Sequence, residues 1–513
     1  MPSPAAHAYR PAILWDAEPS RPDQPRYPGD LQRRRAGVLV LLGRLDDAER
    51  IHRDGRERAA VSGDRRWQAA ACRALADVRI ARGDFDRAVE DATAARDLCE
   101  KLGDAAGMAE AERSIGSAQM RKGRYDEALR HLDTALELHQ EAGNEPGMAG
   151  VLNYIGVLHW NRGEYREALE RYRQSLALSE RLADPHAINI ATGNIGLLYW
   201  TMGEYPAAMD WLQRKLALCR RTGDEVSLGY AINNIGLVLL DTGDLDGALD
   251  CFQRHHQLCQ RQGDRSGLAR ALNNLGLVHN KRGDYRRALR LFTDYLELST
   301  GIGEQKGVAL ACGNIGDVHC SLGEYAAAAD FVNRQLAVAR AIGDRRLVAN
   351  AQHTLGRILL ETGEAARALA AVEAAVAGFR TIDVATEVVG ALQLKARVLC
   401  RLGRRDEARA CSDEAAALTT PGMPADIRLE NGLLRAATSP DAAAARKMLL
   451  RLEDAFSGQQ QRADIHYELF RLTGAAADRA EALRLARELH RDLPNAQLAG
   501  RIAELENGLE EVS

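Results

Sequence analysis

The sequence predicts an all-α fold, a solenoid of about ten helix pairs that recur every forty residues. Three observations predict it: two columns of small residues with this period, apolar residues at helical spacing between them, and a helix-favouring composition. Aromatic residues make up only 5% of the chain, which favours helix over sheet. Self-similarity at a fixed period of this length is typical of stacked supersecondary units.

The two columns are glycine and alanine. Every fortieth residue from Gly43 to Gly403 is glycine, and every fortieth residue from Ala48 to Ala408 is alanine, through ten repeats without exception. Glycine accounts for 45 of 513 residues, so chance does not produce such a column.

A second glycine column lies twenty residues from the first and lapses at Ala183 and Asp383. Glycine accepts the left-handed conformation that ends many helices. The Asp, Glu or Asn that commonly follows favours the start of the next helix. Each repeat is therefore predicted to contain two antiparallel helices joined by short turns.

The first helix of each repeat has apolar residues spaced by four and then three, as in Val151, Ile155 and Leu158, which predicts a core stripe. Glycines in the middle of this helix cost roughly 1 kcal/mol each relative to alanine, so we expect close helix packing in return. These glycines are Gly156, Gly196, Gly236, Gly276, Gly316 and Gly356.

A small residue at the eighth position of the repeat, an aromatic residue after the turn, and alanine at the twentieth position resemble the tetratricopeptide repeat over roughly residues 30–420. The string GNIGLLYWTMGEYPAAMDWLQRKLALCRRTGD and the forty-residue period are similar to the long-repeat branch typified by the spindle-orientation adaptor LGN and kinesin light chain, and to bacterial regulatory arrays. The resemblance implies a right-handed superhelix whose first helices line a concave surface.

The periodicity divides the chain into three parts. Residues 1–28 contain half of the chain's 14 prolines, which predicts a disordered tail. Residues 29–420 are predicted to form the superhelix, and residues 421–513 two degenerate repeats and a cap. The helices predicted in this last part are 426–437, 441–456, 460–473, 477–491 and, as the cap, 495–511.

Charge and cysteine usage limit the partners and the compartment. With 68 basic and 72 acidic residues, no global field favours nucleic acid or an anionic membrane. Nine scattered cysteines without a CxxC pair indicate reduced thiols. No signal peptide and no membrane-spanning apolar run is found, so we expect a soluble cytoplasmic protein.

A second stripe of the first helix carries asparagine and large apolar residues in the central repeats, where an inert surface would be charged. A side-chain amide can offer both a donor and an acceptor to an extended peptide backbone. In the resembled family, asparagines beside the NIG or NLG string contact bound peptide, which supports Asn194, Asn234, Asn274 and Asn314. The residues predicted to bind peptide in this stripe are Asn153, Trp160, Asn194, Leu197, Trp200, Asn233, Asn234, Leu237, Asn273, Asn274, Asn280 and Asn314.

The same residues allow a structural interpretation, in which the asparagines hydrogen-bond between neighbouring helices and Trp160 and Trp200 fill gaps between repeats. Towards the ends of the array the stripe becomes basic. Its arginines are either solvated surface or favour an acidic peptide segment. The arginines predicted to take part are Arg113, Arg121, Arg357 and Arg397.

Motifs of catalysis and cofactor binding are missing from the sequence: no GxxxxGK[ST], no GxGxxG after a strand, no HExxH and no GxSxG. His279 and His319 share one column and Cys320 follows, but this ligand set is incomplete. We therefore expect no enzyme, no cofactor and no metal site.

The function that this pattern favours is a scaffold or adaptor that binds a peptide segment of a partner protein in the concave groove. A regulatory sensor subunit that binds a signalling peptide or controls a partner enzyme is the alternative. A catalytic site in the last ninety residues is a third, less favoured hypothesis. The sequence carries no signal for an oligomeric state.

Overall fold

The computed structural model describes residues 39, 45–382, 385–420, 423, 425–492 and 494–507. The predicted tail at 1–28 and the lapse at Asp383 lie outside these residues. The described part of the chain is almost entirely helical, with 24 helices joined by short turns. In chain order they are α1 (Leu45–Ser62), α2 (Arg65–Arg82), α3 (Phe85–Leu102), α4 (Ala105–Arg121), α5 (Tyr125–Glu141), α6 (Glu145–Asn161), α7 (Tyr165–Arg181), α8 (Pro185–Thr201), α9 (Tyr205–Thr222), α10 (Glu225–Thr242), α11 (Leu245–Gln262), α12 (Arg265–Lys281), α13 (Tyr285–Ile302), α14 (Gln305–Leu322), α15 (Tyr325–Ala341), α16 (Arg345–Glu361), α17 (Ala365–Thr381), α18 (Ala385–Arg401), α19 (Arg405–Leu418), α20 (Ala425–Thr438), α21 (Ala442–Ala455), α22 (Gln459–Thr473), α23 (Ala476–Asp492) and α24 (Ala496–Asn507).

The helices fall into two compact units, one ending at Ala271 and the other beginning at Leu272. Each helix packs against the next along the chain from α1 to α11 in one unit and from α13 to α24 in the other, which confirms the predicted all-α solenoid. The even-numbered helices from α2 to α22 are the first helices of their repeats, and the odd-numbered helices are the second helices.

Within each unit the first helices form an inner layer. Helices α2, α4, α6, α8 and α10 pack successively against one another in one unit, as do α14, α16, α18, α20 and α22 in the other. In the described residues, second helices of neighbouring repeats do not approach each other to a comparable extent. In a curved stack neighbours come closest on the concave side, so the first helices line that side within each unit.

Capping residues define the helix ends as the sequence predicted. The turn glycines adopt φ values from 62° at Gly143 to 92° at Gly83, in the left-handed region. Asp104 Oδ1 accepts a hydrogen bond from the Gly107 amide at 2.9 Å, which satisfies one of the free N–H groups at the start of α4. Other N-cap side chains, such as Asp344, make the same contact.

The mid-helix glycines permit the close packing expected of them. A Cβ atom added to Gly156 would lie 2.5 Å from Tyr172 Cε1, and one added to Gly276 would lie 2.5 Å from Phe292 Cε1. Both distances are too short for a carbon contact. The missing side chain therefore lets the second helix insert a large residue against the first.

The last five helices lie where the apolar pattern placed them. Four of them begin and end within one or two residues of the predicted limits, and α24 begins one residue after the predicted cap. The final predicted residues, 508–511, lie outside the described residues. Leu429, Leu449 and Ile465 pack in one apolar cluster, which explains why these helices form without the glycine column.

Filling the alanine column is expected to destabilise the fold. Ala248 has an exposed fraction of 0%, so Ala248→Phe overpacks the α10–α11 pair and lowers the free energy of unfolding by about 1 to 3 kcal/mol. Urea denaturation followed by circular dichroism measures this change. Gln253→Leu, an exposed position on the same helix, serves as the control. An equal effect of both substitutions would contradict the packing assignment.

Restoring the lapsed glycine is expected to stabilise the fold. Ala183 has φ 52°, the one positive φ of a non-glycine residue in the described chain. A Cβ atom in this region costs roughly 1 kcal/mol, so Ala183→Gly should raise the free energy of unfolding by up to about that amount. Ala142→Gly is the matched control, because Ala142 ends its helix at φ −78° and gains nothing from glycine. A melting temperature that rises equally in both variants, or in neither, argues against backbone strain at Ala183.

Candidate peptide-binding groove

Two pairs of asparagines join successive first helices on the inner layer. Asn194 Nδ2 on α8 donates to Asn153 Oδ1 on α6 at 2.8 Å. Asn314 Nδ2 on α14 donates to Asn273 Oδ1 on α12 at 2.7 Å. We call these the amide pairs. The forty-residue period places both pairs at the same height of the repeat, 41 residues apart in each case.

The amide pairs use only part of their hydrogen-bonding capacity. A side-chain amide has two N–H donors and an oxygen that accepts two bonds. In the pair on α6 and α8, Asn153 Nδ2 and Asn194 Oδ1 make no hydrogen bond within the described residues. Neither of these two atoms is fully buried. One donor and one acceptor therefore remain accessible to solvent beside this pair.

Other predicted asparagines are more deeply buried. Asn233, Asn234 and Asn274 have exposed fractions of 0%, 2% and 3%. Asn233 Nδ2 donates to Asn234 Oδ1 at 3.2 Å, and Asn273 Nδ2 donates to Asn274 Oδ1 at 3.1 Å. These bonds hold neighbouring side chains of one helix in fixed orientations. Asn280, at the end of α12, is half-buried.

The predicted apolar anchors pack within the fold. Trp200 is 2% exposed, and its Nε1 donates to Asp241 Oδ2 on the next first helix at 2.9 Å. Trp160, Leu197 and Leu237 are also buried. Burial between repeats is what the structural interpretation of the sequence predicted for the two tryptophans, and the asparagine bonds between helices fit the same interpretation.

Three of the predicted arginines contact carboxylates of this chain. Arg357 hydrogen-bonds Asp317 on the preceding first helix, and Arg397 Nη1 lies 3.9 Å from Glu430 Oε1. Arg113 Nε donates to Glu110 Oε2 at 2.9 Å and its guanidinium lies over the Tyr154 ring at 4.9 Å. Arg121 is half-buried at the end of α4.

The Arg113 contact also decides the charge of its partner. Burial raises the pKa of Glu110, but the Arg113 guanidinium and the His139 ring, whose Nε2 lies 3.4 Å from Glu110 Oε1, outweigh burial and hold the pKa well below its usual range. An acidic ligand at Arg113 would therefore compete with a carboxylate that is ionised at neutral pH.

A row of buried polar residues lies behind the inner layer and escaped the sequence reasoning. It occupies one position of the second helix in five consecutive repeats, where the flanking repeats carry alanine. The signal that could have found it is the residue type at every fortieth position from Ala95, in the second helix, whereas the sequence prediction used the first helix. The row is Ser175, Lys215, His255, Tyr295 and Gln335, and the flanking alanines are Ala95, Ala135, Ala375 and Ala415.

The members of this row differ in the hydrogen bonding and protonation of their polar side chains. Ser175 Oγ donates to the Ala149 carbonyl at 2.8 Å. Burial, with the nearby charge of Arg270, lowers the pKa of His255 to about 3, so this histidine is neutral at pH 7. Burial also lowers the pKa of Lys215.

Sequence comparison identifies the family. The sequence profile described as tetratricopeptide repeat matches residues 107–181, 147–221, 227–300 and 308–381, which together span just over half of the chain. The chain belongs to the tetratricopeptide repeat family. No curated protein matches the chain significantly.

The chain is also similar in fold to solved structures. A Rap protein complexed with competence and sporulation factor is 13% identical, with a TM-score of 0.50 over 68% of this chain and 97% of that chain. Aspartyl phosphate phosphatase F from Bacillus subtilis is 14% identical, with a TM-score of 0.46 over 68% of this chain and 93% of that one. NprR in complex with its cognate peptide NprX is 14% identical, with a TM-score of 0.46 over 65% and 98%.

The histidine column does not assemble in the described tetratricopeptide repeats. His279 Nδ1 lies 3.4 Å from Asp284 Oδ2, and His319 Nδ1 lies 2.6 Å from Glu324 Oε2, so each ring contacts an acid of its own turn. No group of three or more potential metal ligands occurs among the described residues. None of the described helices is long and apolar enough to cross a membrane.

The Trp200 indole is expected to stabilise the contact between two tetratricopeptide first helices. Trp200→Phe removes the donor to Asp241, whereas Trp160→Phe removes a similar ring that makes no hydrogen bond within the described chain. Trp200→Phe should therefore lower the free energy of unfolding by about 1 to 3 kcal/mol more than Trp160→Phe. Guanidinium denaturation of both variants tests this difference, and equal losses would show that the bond contributes nothing.

Proposed function

We propose that this tetratricopeptide array is a non-enzymatic interaction scaffold that binds an extended peptide segment of a partner protein along the inner layer of its first helices. The amide pairs are the observation that carries the proposal. Each pair is fixed by its own hydrogen bond, so it offers its remaining amide atoms to a ligand without a further ordering cost. In this proposal residues 29–420 supply the binding array and residues 421–513 extend and cap the stack.

An extended peptide matches these atoms in chemistry. Its backbone presents N–H and C=O groups in alternation, and both are obligatory hydrogen-bonding groups. The acceptor of Asn194 suits a backbone N–H, and the donor of Asn153 suits a backbone carbonyl. Such contacts bind the main chain whatever the side chains are, so selectivity has to come from groups beside the pair.

Acidic side chains are the favoured source of that selectivity. The contact between Arg397 and Glu430 is long, at 3.9 Å, so a ligand carboxylate can replace Glu430 at little cost. Charge-assisted bonds from arginine to carboxylate are stronger than neutral ones. We therefore propose a partner segment that carries acidic residues. All nine cysteines are unpaired thiols, which fits a reducing compartment such as the cytoplasm.

A regulatory sensor is the second candidate, and the position of the amide pairs favours it. The Asn153–Asn194 bond is itself a contact between two first helices. A peptide that competes for its atoms would change the spacing of α6 and α8. Binding and a change in the curvature of that unit would then be coupled.

The amide pair on α6 and α8 is expected to be needed for peptide binding. The full-length protein is panned against a random peptide library, and the affinity of the enriched peptides is measured by fluorescence anisotropy. Asn153→Ala with Asn194→Ala should weaken peptide binding at least about tenfold, because at least one hydrogen bond to the backbone of the bound peptide is lost. Stability should change little, because removing both partners leaves neither amide unsatisfied.

The control is Arg166→Ala with Glu167→Ala, two exposed residues of α7. Peptides with N-methylated backbone amides should bind the wild-type protein weakly. If the asparagine double variant binds as tightly as the control variant, the amide pair is not part of the groove.

A further inference from the structure

Lys215, in the polar row behind the inner layer, is a buried cation without a hydrogen-bond or ion-pair partner among the described residues. Its exposed fraction is 3%, and within the described residues it makes no hydrogen bond and no ion pair. Burial lowers the pKa of Lys215, and the charges of Cys219 and Asp224 only partly offset this effect. Leaving an ammonium group in such surroundings is costly, so its retention needs a reason.

The neighbouring acid and thiol are already engaged. Asp224 Oδ1 accepts from the Ser227 amide at 3.0 Å as the N-cap of α10. Cys219 Sγ donates to Asn189 Oδ1 at 3.4 Å. Among the described residues no carboxylate lies within ion-pair distance of Lys215, although the charge of Asp224 is near enough to favour its protonated form.

The ammonium group fills the place that a side chain of Gly193 would take. A Cβ atom added to Gly193 would lie 2.6 Å from Lys215 Nζ. Gly193 stands at the position that Asn153 holds in α6 and Asn233 holds in α10. In this repeat Lys215 of α9, the second helix, thus brings a cation to the place where the neighbouring repeats have an asparagine side chain of the first helix. This place lies one residue before Asn194 of the amide pair.

The same arrangement occurs once more in the other unit, with a neutral group. A Cβ atom added to Gly313 would lie 2.6 Å from Gln335 Nε2. Gln335 is likewise buried, with an exposed fraction of 6%. The fold therefore accommodates a long polar side chain behind such a glycine without needing a charge, and the charge at Lys215 is a feature of this one repeat.

We propose that Lys215 binds a carboxylate of the peptide that occupies the groove, reaching it past Gly193 beside the Asn153–Asn194 pair. This inference rests on the proposed function and adds the chemical class that one subsite takes. The four-carbon stem of lysine allows the ammonium to move towards the inner surface when an anion arrives. One cation balances the single charge of a carboxylate, whereas a phosphate carries nearly two charges and is usually met by several donors.

Two sources of the carboxylate are separated by the choice of peptides. Full-length protein is panned against three random peptide libraries: one with free C termini and all residues, one with amidated C termini and all residues, and one with free C termini but without Asp and Glu. The protein variants are wild type, Lys215→Gln and, as the matched control, Gln335→Met. Lys215→Gln copies the side chain that the equivalent position tolerates at Gln335, and circular dichroism with thermal melting verifies its fold.

The wild type and Gln335→Met should enrich the same carboxylate-bearing peptides. Lys215→Gln should bind those peptides at least about tenfold more weakly, the loss expected for a charge-assisted bond. Replacing the peptide carboxylate by an amide should weaken wild-type binding to the same extent and leave Lys215→Gln binding unchanged. Enrichment from the amidated library assigns the subsite to an Asp or Glu side chain, and enrichment from the library without acids assigns it to a C-terminal carboxylate.

Each contrary result has a distinct meaning. If wild type and Lys215→Gln bind the enriched peptides equally, the carboxylate subsite is wrong while the groove stands. If wild type enriches no peptide from any library, the proposed function fails and the subsite fails with it.

Discussion

The close contact between the two helices of each repeat is the constraint on which the rest of the structure depends. A glycine of the first helix and a fully buried alanine of the second let the two backbones approach. At Gly316 a Cβ atom would lie 2.8 Å from Val332 Cγ2 and 3.4 Å from the Ala328 carbonyl oxygen. Because this contact recurs every forty residues, equivalent side chains of successive first helices lie at the same height. The amide pairs follow directly, since a side chain in one repeat meets a side chain about forty residues later.

This constraint also explains why the fold could be predicted from the sequence. Small residues at a close helix contact cannot be enlarged without overpacking, so they mark the period as unbroken columns. Turn glycines are less strictly required, because a residue with a Cβ atom can adopt the left-handed conformation at a modest cost. Ala183 does so with φ 52°, and the helices on either side of it keep their ends. The second glycine column therefore lapses at Ala183, whereas the alanine column of the helix contact has no exception.

The candidate site was harder to predict, for a physical reason that Asn194 and Trp200 illustrate. An amide can bond to a neighbouring helix and to a ligand at once, and the sequence does not separate these roles. The structure shows that Asn194 bonds to Asn153 and keeps an acceptor accessible. For Trp200 the outcome depended on the next repeat, where Asp241 accepts its indole N–H. Whether an aromatic side chain on the inner stripe is exposed or buried therefore depends on residues about forty positions away.

Lys215 was missed because its importance depends on two residues in different helices. On its own, lysine at a second-helix position reads as a surface charge, and Gly193 reads as one more packing glycine. Only the structure shows that the two residues are related, because the Lys215 ammonium lies where a Gly193 side chain would be. The flanking repeats carry alanine at the position of Lys215, so the fold itself does not need a polar group there. A buried polar group without a hydrogen-bond partner costs stability that alanine would not. In the proposed groove, Lys215 is therefore better explained by a ligand than by packing, and it lies behind the same repeats whose first helices carry the asparagines.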